Sequence, residues 1–138
     1  MNSSITVLTA QSNVMMRLGD FKFMILTAAY QELRRTTDYK WPSQLRMGLG
    51  PSSQFVGNGE DVINLQGVIY TEFRGGNGQI DRLREMAAMG EPYLMISGLG
   101  GVMGRWIIER VEETQTLFAA FGTPRKQEFN LTLRAQYP

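Results

Sequence analysis

Polar and apolar residues alternate with period two along most of this chain, and recur with the helical period in one place. The cleanest alternation runs over residues 125–137, where Phe129, Leu131, Leu133, Ala135 and Tyr137 interleave with Glu128, Asn130, Thr132, Arg134 and Gln136. Successive side chains of a strand point to opposite faces, so this segment predicts a strand with one buried face and one wet or partner-facing face. Residues 60–70 predict a second long strand, with Ile63, Leu65 and Ile69 on one face and Val62, Val68 and Tyr70 making the other partly apolar. Gly67 in its middle marks a bulge or a close backbone approach. Residues 93–97 run into Gly98-Leu99-Gly100-Gly101 and residues 102–113 run out of it, which predicts a hairpin. On the exit strand Trp106 and Ile108 point one way, Ile107 and Val111 the other. Residues 21–26 and 30–41 add two more strands. The second alternates weakly, with Leu33, Tyr39 and Trp41 sharing a face with Arg35 and Thr37.

The helical stripe lies over residues 79–89, where Ile80, Leu83, Met86 and Ala87 fall on one side and Asp81, Arg82, Arg84 and Glu85 mostly on the other. Asn77 stands where it can help cap the start, Gly90 where the helix stops, and Pro92 shortly beyond. Trp41-Pro42-Ser43 and Gly48-Leu49-Gly50-Pro51 bracket a mobile loop, and residues 73–78 connect a strand to the helix. Residues 1–13 are polar, rich in Ser and Thr, and read as a short flexible leader rather than a secretory signal. The pattern predicts one domain over residues 1–138, α+β but mainly β, with about seven strands and one helix. Several strands are apolar on both faces while only one helix is present to cover a sheet. Either two sheets pack as a sandwich, or a neighbouring subunit completes a face.

Composition narrows the chemistry. The 138 residues include no cysteine, which removes disulfides and thiolate metal sites and fits synthesis in the cytoplasm. There is no histidine, so the commonest general base and transition-metal ligand is missing. Fourteen basic residues against thirteen acidic ones give a net charge of +1, without the basic excess of a dedicated nucleic-acid binder. No apolar run approaches the ~18 residues of a membrane span.

The motifs follow suit. Gly98, Gly100, Gly101 and Gly104 do not make a dinucleotide fingerprint, because Met103 stands at the third glycine position, and no Gly-Lys-Ser/Thr follows any glycine cluster. A hairpin turn accounts for them. Glu60-Asp61 and Glu112-Glu113 are carboxylate pairs of the kind a cell-wall hydrolase or a cation site uses, but neighbours on a strand point apart, so both pairs read as solvated surface. Arg34, Arg35, Lys40 and Arg46, with Asp38 among them, read as a solvated strand face, or as a partner-facing patch. Trp106 reads as core. Trp41, beside Pro42 and the loop, reads as an interface anchor. Met15, Met16, Met86, Met89, Met95 and Met103 read as gap-filling residues. No serine has a base to activate it. No catalytic residue, cofactor or metal is expected.

The ordered set of these segments resembles the phage tail protein U (GpU) family of contractile-tailed phages and R-type bacteriocins. The resemblance begins at Met16-Arg17-Leu18-Gly19-Asp20-Phe21-Lys22-Phe23 and continues through Tyr30-Gln31-Glu32-Leu33-Arg34-Arg35 and Trp41-Pro42-Ser43. Its most specific part is Gln54-Phe55-Val56-Gly57 followed by Glu60-Asp61-Val62-Ile63-Asn64-Leu65-Gln66-Gly67-Val68. Later pieces are the helix ending at Gly90, Trp106-Ile107-Ile108-Glu109 and Phe129-Asn130-Leu131-Thr132-Leu133, so that residues 14–135 are covered. The resemblance implies a non-enzymatic virion protein with a tail-tube-like β-sandwich or half-barrel and one flanking helix. It implies a homohexameric ring that serves as an adaptor between the baseplate hub and the tail tube and seeds tube assembly. The implied partners are copies of itself, the tail tube, the hub, a LysM-like tail protein and the tape measure, with no membrane and no sequence-specific nucleic acid. A terminator ring at the neck is the nearest alternative, and a carboxylate-dependent hydrolase the alternative from another class. Residues 41–55 are the expected arm onto a neighbouring subunit, which makes Trp41, Pro42, Leu45, Met47, Leu49 and Phe55, with Arg34 and Arg35 beside them, the candidate interface residues.

Overall fold

Alternation becomes nine strands among the residues that the computed structural model describes, namely 14–24, 28–46, 48–70, 78–118, 122 and 124–136. In chain order they are β1 (Val14–Leu18), β2 (Phe21–Met24), β3 (Ala29–Lys40), β4 (Ser43–Arg46), β5 (Leu49–Ser53), β6 (Gly57–Tyr70), α1 (Gln79–Ala88), β7 (Tyr93–Ser97), β8 (Val102–Phe118) and β9 (Pro124–Ala135). Seven of them form one antiparallel sheet in the order β2-β1-β7-β8-β9-β6-β3, and β4 with β5 makes a separate two-stranded ribbon. The expected leader, residues 1–13, and nearly all of the strand-to-helix connector lie outside the described residues, as does Asn77.

The sheet buries one face. Ile63, Leu65 and Ile69 of β6, Phe129, Leu131 and Leu133 of β9, and Trp106 and Ile108 of β8 meet Ile80, Leu83 and Met86 of α1. The edges curl towards this core: Phe23 of β2 packs edge-on against Tyr30 of β3, ring centroids 5.9 Å apart, although these strands stand at opposite ends of the sheet order. The half-barrel with one flanking helix is therefore the form the fold takes. Helix α1 starts at Gly78, which takes φ 84° and offers no side-chain cap. It stops at Gly90, φ 69°, whose N–H bonds to the Ala87 carbonyl at 3.2 Å. The Tyr93 hydroxyl donates to the Met86 carbonyl at 2.7 Å, satisfying one of the acceptors that a helix end leaves open.

Three departures from the period-two reading have local causes. Val14–Leu18 is a strand of its own, paired with both β2 and β7 and turned into β2 at Gly19, φ 57°. Strand β8 continues past Glu113 to Phe118, because its polar run from Thr114 to Thr116 is held by the β9 ladder rather than by burial. Within β8 one extra residue is accommodated between Ile108 and Arg110, where two steps on β8 match one on β9. Such a bulge reverses the facing of every later side chain. Val111, expected opposite Trp106 and Ile108, therefore faces Leu131 on the core side with them, and Glu113 follows it inward.

Gly67 makes a close approach. A methyl group there would lie 2.2 Å from the Ala29 carbonyl oxygen and 2.5 Å from Phe129 Cζ. The neighbouring strand β3 carries an extra residue between Tyr30 and Glu32 at this level. Gly67→Ala has to push the edge strand or the Phe129 ring aside, and the expected loss is about 1–3 kcal/mol, the range for overpacking a closed site. Urea unfolding followed by tryptophan fluorescence measures it, and an unchanged midpoint would mean that β3 yields freely.

Candidate assembly surface

The segment after Lys40 forms a hairpin arm instead of the expected mobile loop. Ser43 pairs with Ser53, Gln44 with Ser52 and Arg46 with Leu49, and the turn uses Gly48 at φ 72°. The ribbon is tied to the sheet at its base by Val56 N–H to the Lys40 carbonyl at 2.9 Å and Gln54 N–H to the Pro42 carbonyl at 3.3 Å. Its glycines and Pro51 read as strand breakers, but a two-stranded ribbon consists of edges, where proline is tolerated. At the base, Trp41 and Phe55 stack edge to face with centroids 5.0 Å apart, and Trp41 remains 57% exposed. Tyr39 and Val56 are exposed beside them, as is Pro42. Leu45 and Leu49 lie in β4 and β5, and Met47 falls outside the described residues.

Arg34 and Arg35, neighbours in sequence, do not act together. Arg34 is exposed on the sheet face away from the core, opposite Asn64. Arg35 points to the core side, where its Nε and Nη2 donate to the two oxygens of Asp61 at 3.0 and 2.6 Å and its guanidinium lies 5.2 Å from the centre of the Trp106 ring. Thr37 adds a third hydrogen bond to Asp61 at 3.1 Å. Trp106 itself is 1% exposed, as its reading as core requires, and its indole N–H donates to the Met103 carbonyl at 2.9 Å. Met16, Met86 and Met95 fill the core and Met15 and Met103 pack against it, but Met89 is 66% exposed and fills no gap.

The carboxylate pairs split across the sheet, as strand geometry demands. Only half of each is solvated surface: Glu60 and Glu112 are exposed, whereas Asp61 is buried and the Glu113 side chain nearly so. Neither inward acid is free. The hydrogen bonds from Arg35, with that of Thr37, outweigh burial and hold the Asp61 carboxyl below its ordinary range. Burial pushes Glu113 up, but hydrogen bonds from Gln115, from Arg84 of α1 and from Gln127 reverse this, and it too ends below its ordinary range. A carboxyl whose folded pKa is depressed stabilises the fold above its unfolded pKa and loses that contribution as pH falls through the folded value. The melting temperature should therefore hold from neutral pH down to about pH 5 and fall below about pH 4, where ordinary carboxylates protonate. Asp61→Asn should cost about 1–2 kcal/mol at pH 7, since Arg35 remains partly solvated, and should flatten the acid limb. Melting curves across pH check both, and an unflattened limb in the variant would contradict this role for Asp61.

The face away from the core is hydrophilic. Arg134 of β9 bridges Glu60 of β6 and Glu109 of β8, which together raise its already high pKa. Lys126 pairs with Glu128, Arg110 with Glu112, and Thr132 donates to Asn64 at 3.1 Å. Among the described residues, strands β2 and β3 stand at the two edges of the sheet. At the far tip of the β8–β9 hairpin, Leu117 takes φ 57° and both it and Phe118 are exposed, an apolar tip that the shorter predicted strand did not reach. Among the described residues no group of three or more His, Cys, Asp or Glu converges, and no helix is long and apolar enough to cross a membrane.

A seven-stranded half-barrel with one helix and a hairpin arm is a fold of phage-tail proteins. It matches the SPP1 Dit protein, described as a paradigm of the hub adsorption apparatus in phages infecting Gram-positive bacteria, with a TM-score of 0.64 and 10% identity over 90% of this chain and 50% of that one. It also matches a chain from the tail of an empty gene transfer agent particle refined with C6 symmetry, TM-score 0.57 and 11% identity over 92% of this chain and 93% of that one. At such identities the likeness is one of fold. Sequence carries it further: the profile of the family described as Phage P2 GpU matches residues 19–136, and the chain belongs to that family. It is a phage-tail structural protein. A probable tape measure protein of Halomonas phage phiHAP-1 is 36% identical over 104 residues, which are 75% of this chain and 12% of that protein, so the chain spans only a small part of that relative's length.

Proposed function

We propose that this chain is a non-catalytic ring subunit which packs edge to edge with copies of itself as an adaptor between the baseplate hub and the tail tube, and seeds tube assembly. The observation that carries the reading is a curved sheet whose two edge strands, among the described residues, pair with no further strand, together with an arm that has an exposed aromatic base. Unpaired edges invite pairing, and a closed ring removes them. Six copies are favoured by the C6 symmetry of the gene transfer agent tail with the same fold. The hub end is favoured by the fold shared with SPP1 Dit, and by the relative in which a stretch similar to this chain lies within a tape measure protein. The partners in this reading are the hub, a LysM-like tail protein, the tube and the tape measure, in a virion assembled in the host bacterial cytoplasm. A non-catalytic role is supported by the two inward acids, each held by an arginine, with no converging group of three acids among the described residues.

The arm tests the reading. Deleting residues 45–50 shortens the ribbon without touching the core, so the variant should fold with the parent's melting temperature and fail to support tails. Electron microscopy of particles made with the variant reads the outcome. Tails of normal number and length would overturn the role given to the arm, and antibody label at the neck instead of the distal end would make the ring a terminator.

A further inference from the structure

Strands β1, β2 and β7 carry two unlike surfaces back to back. On the sheet face away from the core, Arg17 stands between Lys22 and Ile96, and Leu94 stands beside Arg105. Val102, opposite Ile96, completes a patch of three cations and three aliphatic side chains. Arg17, Lys22 and Arg105 are exposed, and Leu94 and Val102 are 41% and 69% exposed. None of these three cations makes an ion pair among the described residues, whereas Arg110, Lys126 and Arg134 on the same face are all engaged by glutamates. No Asp or Glu occurs in β1, β2 or β7, or in β8 before Glu109.

The other side of the same strands borders a groove of about 600 Å³ between the end of α1 and the β1–β2 turn, where the Gly19 N–H bonds to the Leu94 carbonyl at 2.8 Å. The groove floor is apolar and adaptable: Met86, Met89 and Tyr93. Its rim is acidic, with Asp20, Glu85 and Glu91 against Arg82, which Glu85 already engages at 3.4 Å. The C-terminal end of α1 adds its own negative partial charge. Tyr93 in the groove and Leu94 in the patch are consecutive, and consecutive strand residues point to opposite faces. The two surfaces therefore share one level along the strands, and the sheet between them keeps one from reaching the other within a single chain. Unlike, complementary surfaces on opposite sides of one layer suit a heterologous contact, in which each copy receives one neighbour and enters the next.

From this opposite charge at one level we infer that the cationic patch of one copy seats on the acidic, methionine-floored groove of the next. The inference rests on the ring reading above and adds a contact in which the arm takes no part. The chain lacks cysteine, so engineered thiols report on it cleanly. The full-length double variant Val102→Cys with Met89→Cys, mildly oxidised, should give a disulfide-linked ladder on denaturing gels that ends at the ring size, where a control with Thr114→Cys in place of Met89→Cys gives none. Adding Arg105→Glu should lower the ladder about tenfold, at the modest end for a close interfacial charge pair, and adding Glu91→Arg to that variant should restore most of it. Both side chains are exposed, so the melting temperature should stay at the parent's value. Native mass spectrometry of the parent chain separates the two claims. Rings without a ladder would overturn the patch-to-groove contact and leave the ring standing. Neither rings nor ladder would overturn both, and a ladder insensitive to the charge reversal would overturn the electrostatic match between patch and groove.

Discussion

Trp106→Ala will cost the fold about 3–5 kcal/mol, the range for truncating a fully buried aromatic. The indole is 1% exposed, lies beneath the Arg35 guanidinium and anchors itself to the Met103 carbonyl. Its removal empties the meeting point of β8, β9 and the Arg35–Asp61 pair, and leaves that pair without its apolar floor. A domain of this size is stable by about 5–15 kcal/mol, so the variant loses a large share of its margin. The midpoint of thermal unfolding should fall by more than about 10 °C. Trp106→Phe keeps a ring under Arg35 and gives up the indole hydrogen bond, and should cost far less. Calorimetry of the two variants decides it, and equal losses would mean that the hydrogen bond rather than the buried ring carries the contribution.

Trp41→Ala acts at the other extreme, on assembly and not on the fold. The side chain is 57% exposed, and its aromatic partner Phe55 is exposed as well. Removing it should change the stability of the isolated chain by no more than about 0.5 kcal/mol, as for ordinary surface substitutions. Aromatic anchors at the centre of an interface are commonly worth 2 kcal/mol or more, so association should weaken about thirtyfold or beyond. Phe55→Ala should weaken it less than additively when combined with Trp41→Ala, because each ring holds the other in place. Sedimentation of the variants alongside melting curves separates the two effects. A loss of melting temperature equal to that of a core truncation would show that the arm base is part of the fold.

Strong periodicity was legible wherever one face is buried. The stripe over Ile80, Leu83 and Met86 placed the helix to within a residue, and Phe129, Leu131 and Leu133 placed β9. The Gly98–Gly101 turn placed the β7–β8 hairpin, and Trp106 was recognisable as core by the apolar strand around it. What escaped is what periodicity does not encode. The extra residue before Arg110 reverses the facing of Val111 and Glu113 without any mark in the sequence, since a bulge is set by the partner strand. Burial of Asp61 and Glu113 was missed for a related reason: the pleat carries Asp61 inward and the bulge carries Glu113 inward, and each is made tolerable by an arginine that is distant in sequence. The arm carries glycine and proline, which read as loop although a free ribbon accommodates both. The groove between the end of α1 and the β1–β2 turn had no sequence signature, because Asp20, Glu85 and Glu91 on its rim are brought together only by the fold.

The position of this chain's copies in the assembled particle is the most direct test of the ring. Cryo-electron microscopy of purified tails, with density at the distal end traced for this sequence, should find a single closed ring of copies between hub and tube, each arm base seated against its neighbour. Distal density that accommodates the hub and tube with no such ring, in tails that contain the chain by mass spectrometry, would contradict it.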